Sequence, residues 1–223
     1  MCGRYYVKIS INKLLEKYGI INEDFYTMKE RKNKEIINRE IFPSQEAPII
    51  IKNNTSSGPI IQNLKWGFSP SYSKRLIINA RAETIDSKKT FKKAFLKRRC
   101  LVPASAFFEW EKSNNTKLKQ RIFLKNKNLF SLAAIYDSFS NEKGKKIYAF
   151  TIITTSANNK ISSIHNRMPV ILNEKDEKKW LDTNFDDPIQ LKGLLQPYPN
   201  EEIDIIPENK KQSEQMKLDF NDS

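Results

Sequence analysis

The chain has 223 residues, 39% hydrophobic and 11% aromatic, which supports a sizeable core and excludes global disorder. Lysine and arginine number 39 against 26 aspartate and glutamate, a formal charge of +13, so polyanions are attracted and nucleic acid is the expected partner. Two cysteines, a single histidine and no CxxC pair leave too few ligands for a structural zinc site and no disulfide framework.

No apolar run approaches the roughly 20 residues of a membrane span, and no signal-peptide core follows Met1. The composition therefore reads as a soluble intracellular protein without membrane contact, metal or cofactor. Much of the positive excess is lysine, and the abundance of Lys, Ile and Asn also fits a compositional bias of the source genome.

Tyr5 to Ile9 reads as a short strand. Ser10 then caps a helix with Ile11, Leu14, Leu15 and Tyr18 at helical spacing and Gly19 just past its end. Residues 22–40 are polar and read as a long surface connection. Ala47–Lys52 and Ile60–Trp66 are β-rich runs around a turn-forming Asn-Asn-Thr-Ser-Ser-Gly-Pro segment, the pattern of a hairpin.

Leu76–Ile78 is a short strand feeding Asn79-Ala80-Arg81-Ala82-Glu83-Thr84. Ser87 to Lys97 is expected to be helical, with Phe91, Ala94 and Phe95 inward and lysines outward. Strand candidates follow at Cys100–Val102, Phe107–Glu111, Arg121–Lys125, Leu129–Tyr136 and Ile147–Thr155, with a loop at 138–145 and a polar turn at 156–160. Glu174–Leu181 and Pro188–Leu195 are helical, and Asp187-Pro188 forms a cap and first-turn pair. Strands dominate and helices are interspersed irregularly. The expected fold is α+β, with mainly antiparallel sheets in residues 1–206 and a polar tail at 207–223.

The N-terminal Met1-Cys2-Gly3-Arg4 carries the most specific chemistry. Loss of Met1 leaves a thiol and a free α-amine on one carbon. The amine condenses with an aldehyde to an imine, and the sulfur closes a five-membered thiazolidine. The ordinary pKa values, near 8 for the amine and near 8.5 for the thiol, supply both reactive forms at neutral pH. Arg4 is expected to place a permanent positive charge beside the nucleophile.

Three further segments offer matching groups. Glu109 sits among aromatics in Ala106-Phe107-Phe108-Glu109-Trp110, where desolvation would raise its pKa toward that of a neutral-pH acid. His165 is the only histidine, and Asn79 precedes Arg81. Arg4, Arg81 and Arg167 together would make a phosphate cradle.

These blocks resemble the SRAP family, the SOS-response-associated peptidases or abasic-site processing proteins. The matching pieces are Met1-Cys2-Gly3-Arg4, Trp66-Gly67, the run from Asn79 to Thr84, Arg99-Cys100-Leu101-Val102-Pro103-Ala104, Phe107-Phe108-Glu109-Trp110, and Ile164-His165-Asn166-Arg167-Met168-Pro169-Val170. They occur in the family's order from residue 1 to about 172.

The resemblance implies a barrel-like β core with surrounding helices and a basic channel for single-stranded DNA. It implies self-cleavage of Met1 and a covalent link from Cys2 to a ring-opened abasic site. It gives Cys2, Asn79, Glu109 and His165 the catalytic roles: Asn79 positions the terminus, Glu109 shuttles protons, and His165 assists at the sugar. It assigns Arg4, Arg81 and Arg167 to phosphates, and has Trp66 and Trp110 contact or frame the DNA. A monomer in the cytoplasm, or in the nucleus of a eukaryote, is expected.

Two other functions use parts of the same sequence. An N-terminal-cysteine amidohydrolase would use Cys2 with Asn79 as an oxyanion donor, leaving the charge and the arginines idle. A non-catalytic nucleic-acid-binding module would use the charge and aromatics, leaving Cys2 incidental.

Overall fold

Five strands close on themselves at the centre of the molecule, and the remaining elements are arranged around that ring. The computed structural model describes residues 2–20, 36–52, 58–113, 116–140 and 144–208. Met1, most of the 22–40 connection, the turn at 53–57 and the tail from 209 onward lie outside the described residues.

In chain order the first elements are β1 (Tyr5–Ser10), α1 (Ile11–Tyr18), β2 (Ile36–Ile41), β3 (Glu46–Lys52), β4 (Pro59–Trp66) and β5 (Asn79–Arg81). Next come α2 (Lys89–Lys97), β6 (Arg99–Ala104), β7 (Ala106–Ser113), β8 (Thr116–Leu124), β9 (Phe130–Ser140) and β10 (Lys146–Ser156). The chain continues through α3 (Asn159–Ser162), β11 (Arg167–Pro169), β12 (Ile171–Leu172), α4 (Glu174–Leu181), α5 (Pro188–Gly193) and β13 (Ile203–Pro207).

Around the ring β10 pairs with β4, β4 with β3, β3 with β6, β6 with β9, and β9 with β10 again. Closure removes the sheet edges. The strands β5, β11 and β12 attach to this barrel, whose pairings are antiparallel except those of β10 with β4 and β5. A second sheet, ordered β13-β8-β7-β1-β2, is antiparallel throughout. Its inner face, with Tyr5, Val7, Phe107 and Ile122, joins the same continuous core as the barrel. The fold is the expected α+β, mainly antiparallel and barrel-like.

Local chemistry accounts for the helices. Ser10 accepts the Lys13 N–H as an N-cap of α1, and Gly19 ends that helix in the left-handed conformation at φ 61°. Asp187 caps α5 with Pro188 at its first turn. Phe91, Ala94 and Phe95 are the buried residues of α2.

The boundaries differ where tertiary pairing wins. Residues 36–40 lie in the stretch expected to be irregular, yet with Ile41 they form β2 because β1 offers a complete antiparallel partner from Tyr5 to Ser10. β9 runs on to Ser140, into the expected loop, and β10 starts at Lys146, because the two pair with each other to their tips. α3 replaces part of an expected turn, capped by Asn158. β13 is an edge strand on β8 that its polar surroundings hid.

One buried charge organises the helices on the barrel. Arg99 starts β6, the strand buried at every position. Its guanidinium donates to backbone carbonyls of Phe95, Leu96, Trp180, Asp182 and Phe185, including 2.7 Å to Trp180 and 2.8 Å to Phe185. The Phe95 and Leu96 carbonyls lie in the last turn of α2 and that of Trp180 in the last turn of α4, while Asp182 and Phe185 belong to the turn that follows α4. The planar fork matches them in a way a lysine point charge does not. Arg99→Lys is therefore expected to cost about 2–4 kcal/mol by stranding several buried acceptors, read as a fall in denaturant midpoint without a change in slope.

Candidate active site

Cys2 lies just ahead of β1 and is fully buried, at 0% exposure. The Asn79 side-chain amide donates to the Cys2 carbonyl oxygen at 2.9 Å. The Cys2 thiol donates weakly to the Arg4 carbonyl, 3.7 Å from Sγ, and that carbonyl also accepts the Phe108 N–H at 3.0 Å. The N-terminus is thereby laid along β7 beside Glu109.

Glu109 is 3% exposed. Alternation along β7 puts it on the inner face with Phe107, which faces Tyr5 on β1. Burial pushes its carboxyl up from 4.5 to about 7, the range of a neutral-pH acid and base. Burial first, and the adjacent Glu109 charge second, push the Cys2 thiol far above its ordinary range.

The thiol is therefore held protonated, which corrects the expectation of a ready thiolate at neutral pH. Arg4 does not offset this. Its guanidinium points away from the sulfur, 4.2 Å from the Phe42 ring, 5.0 Å from the Trp110 ring and 3.5 Å from Glu40. Arg4 and Trp110 are one cation–aromatic unit on the opposite face of the sheet from Glu109.

Trp66 is wholly buried, which rules out the contact half of its expected role and leaves it a framing residue. Its indole N–H donates to the Ile78 carbonyl at 2.9 Å, one residue before Asn79. Its ring packs edge-on to Tyr5 at 5.3 Å and stacks on Phe150 at 6.3 Å. Trp66 thus joins the segment carrying Asn79 to the strand carrying Cys2. Gly67 beside it has φ 117°, and a Cβ there would meet the Leu76 Cβ at 3.2 Å.

A second group forms where β5 and β11 meet β10. Thr154 is paired with Arg81 on β5 and with Pro169 on β11. Arg167 donates to the Thr154 carbonyl at 2.6 Å and forks onto both carboxylate oxygens of Glu83, the second at 2.9 Å. The Arg167 hydrogen bond holds the Glu83 carboxyl below its usual range.

His165 Nδ1 accepts the Arg167 backbone N–H at 2.9 Å, which leaves the proton of neutral imidazole on Nε2. Arg81 is exposed nearby. The structure therefore brings Cys2, Asn79 and Glu109 into one cluster, and Arg81, His165 and Arg167 into another. The short strand β5, with Asn79 and Arg81 at its ends, spans the two. Glu83 and Thr154 escaped the sequence reading. The signal for Glu83 was a carboxylate two residues from Arg81 in a strongly basic chain.

The model of the SOS response associated peptidase (SRAP) family matches residues 1–212. The chain belongs to the SRAP family. Among members, it is 37% identical over 210 residues to the abasic site processing protein YoqW of Bacillus subtilis (strain 168), covering 92% of this chain and 90% of that one. It is 30% identical over 200 residues to the abasic site processing protein HMCES of Rattus norvegicus, covering 71% of this chain and 57% of the relative. A crystal structure of a protein from Bacteroides thetaiotaomicron matches with TM-score 0.80 at 25% identity, over 96% of this chain and 94% of that one.

Glu109 makes this SRAP fold pH-sensitive. A carboxyl raised from 4.5 to about 7 on folding leaves stability intact below pH 4.5. Stability then falls as pH rises to 7, and is flat above. The loss is on the order of 3 kcal/mol. Glu109→Gln should abolish that slope, so the wild type and variant diverge in thermal midpoint between pH 5 and pH 8, with the variant the more stable at pH 8.

Proposed function

We propose that this chain is an abasic-site processing protein that binds single-stranded DNA and captures the ring-opened sugar aldehyde as a thiazolidine at Cys2, shielding the site during the response to DNA damage. The observation that carries the reading is the meeting of the N-terminal cysteine with a buried carboxyl poised near neutral and an amide on its carbonyl. An aminothiol needs both a proton donor and a proton acceptor to complete this ring closure.

Loss of Met1, by self-cleavage as the family name suggests, frees the α-amine. The amine adds to the aldehyde carbon, and the resulting hydroxyl leaves as water with a proton from Glu109. The imine carbon then accepts the Cys2 sulfur. The thiol proton passes by way of Glu109 to the nitrogen, so no oxidant or reductant is consumed. A thiol held neutral by burial suits this order, because deprotonation is coupled to attack rather than preceding it.

Asn79 holds the Cys2 carbonyl, and its own side-chain oxygen is buried with no hydrogen-bond partner among the described residues. That oxygen is an acceptor for the freed amine. The arrangement disfavours an amidohydrolase, in which the Asn79 N–H groups would be directed at a substrate oxygen. His165, with its proton on Nε2, would serve the sugar hydroxyl. Arg81, together with Arg167 once phosphate replaces Glu83, would hold the flanking backbone, with Arg4 and Trp110 at the rim. A monomer suffices for this chemistry.

Intact mass spectrometry after incubation with an abasic oligonucleotide tests the reading. The active protein should lack Met1 and gain the mass of the oligonucleotide less one water. Cys2→Ala should bind DNA but form no thiazolidine; active protein retaining Met1 would overturn the mechanism. Glu109→Gln should slow crosslinking by about 10²–10⁴-fold, the usual contribution of a general acid–base group, with DNA affinity nearly unchanged. Arg81→Ala should flatten the salt dependence of single-strand binding by about 0.7, the release of one phosphate contact.

A further inference from the structure

A wide cleft lies away from Cys2, and the proposed crosslinking chemistry does not use it. Its volume is about 1140 Å³, and it is lined from β1, α1, β8, the turn after β8 and the start of α4. Tyr5 and Val7 of β1 point into the core, and the alternate residues Tyr6 and Lys8 point into this cleft. Arg121 faces it from β8, its guanidinium 5.1 Å from the Tyr6 ring and 5.9 Å from the Phe123 ring. Lys8, Lys13, Lys17, Lys125 and Lys127 complete six cationic side chains, against only Glu16 and Glu174. Lys17 is paired with Glu177 at 3.3 Å and Lys127 with the Tyr198 hydroxyl at 3.3 Å.

We propose that this cleft on the outer face of the five-stranded sheet is a second binding site for single-stranded nucleic acid, taking the flank of a strand whose abasic site is held at Cys2. The inference deepens the function proposed above and rests on it.

Three observations favour a polymer over a small anion. The cleft exceeds the roughly 300–1,000 Å³ of ordinary small-molecule pockets. Its cations are spread over β1, α1, β8 and the following turn rather than converging on one point, which suits a run of phosphates more than one. The layered Tyr6, Arg121 and Phe123 offer π faces and a guanidinium plane on which unpaired bases stack.

The path between the sites also follows from the fold. Arg4 and Trp110 stand at the start of β1 and on the outer face, whereas Ser10 and Lys13 stand at its other end. Six strand residues separate them, about 20 Å. Between them Lys119 lies over the Phe108 ring but is neutralised by Glu40 and Glu208. Two cationic regions are thus joined by a neutral stretch, so only a strand long enough to bridge it engages both.

The test is Lys13→Glu/Lys125→Glu, two exposed positions outside the Cys2 cluster. Fluorescence anisotropy would compare unmodified single strands of about 5 and about 20 nucleotides, which bracket the usual single-strand site sizes. The ratio of long-strand to short-strand affinity should fall about tenfold. The log–log salt slope for the long strand should shrink by about 1.4, two phosphate contacts. The milder Lys13→Gln/Lys125→Gln should move both quantities in the same direction by less.

An unchanged ratio overturns the proposal, whether both affinities fall by one factor, as a general charge effect would produce, or neither falls. The same variants are then incubated with a short abasic strand. A loss of length preference with no covalent product in any variant or in the wild type sinks the crosslinking chemistry and leaves the cleft standing. A normal product with no loss of length preference does the reverse.

Discussion

The site depends on one buried indole. Trp66 ends β4 inside the barrel wall, where its N–H is bound to the Ile78 carbonyl and its faces are taken by Tyr5 and Phe150. A buried indole N–H without an acceptor is costly, so the ring orientation is fixed once the core closes. Through Tyr5 the ring sets the start of β1, and with it Cys2. Through Ile78 it sets the entry to β5, and with it Asn79. The hydrogen bond from the Asn79 side-chain amide to the Cys2 carbonyl then closes a loop of contacts whose members are separated by 77 residues. Gly67 follows because the backbone must turn there at φ 117° against Leu76.

Burial does electrostatic work at this junction. A carboxyl and a thiol withdrawn together from water each disfavour the other's charge. Both therefore carry protons more readily than they would at the surface, the thiol far more so than the carboxyl. The arginines obey the opposite logic. Arg4 is paired with Glu40 and Arg167 with Glu83, so each is held in a defined rotamer before any ligand arrives. A phosphate that replaces such a carboxylate meets a cation already in position, which reduces the ordering cost of binding.

The barrel supplies the rigidity that these weak contacts need. Ring closure leaves β10 saturated by neighbours, and its far end carries both β5 and β11. The Arg81 and Arg167 segments are therefore placed by backbone ladders rather than by loops. Arg99 holds α2 and α4 on the outside of that ring by their carbonyl ends. A single guanidinium supplements the backbone caps at Arg98 and Asp182.

The sequence by itself determined the elements whose causes are local. Ser10 and Gly19 bound α1, Asp187-Pro188 starts α5, and the apolar period of Phe91, Ala94 and Phe95 marks the buried face of α2. The run of motif blocks also determined the family, and the aromatics around Glu109 announced a desolvated carboxyl. Tertiary structure decided what depends on distant partners. β2 exists because β1 has an open edge, and β13 because β8 has one. Trp66, expected to contact or frame DNA, is enclosed, since strand alternation does not say which side of a barrel is inside. The Cys2 thiol becomes a held proton rather than a thiolate, and Arg167 becomes the partner of Glu83. Burial and ion pairing are properties of juxtaposition, and groups tens of residues apart acquire them only when the chain closes.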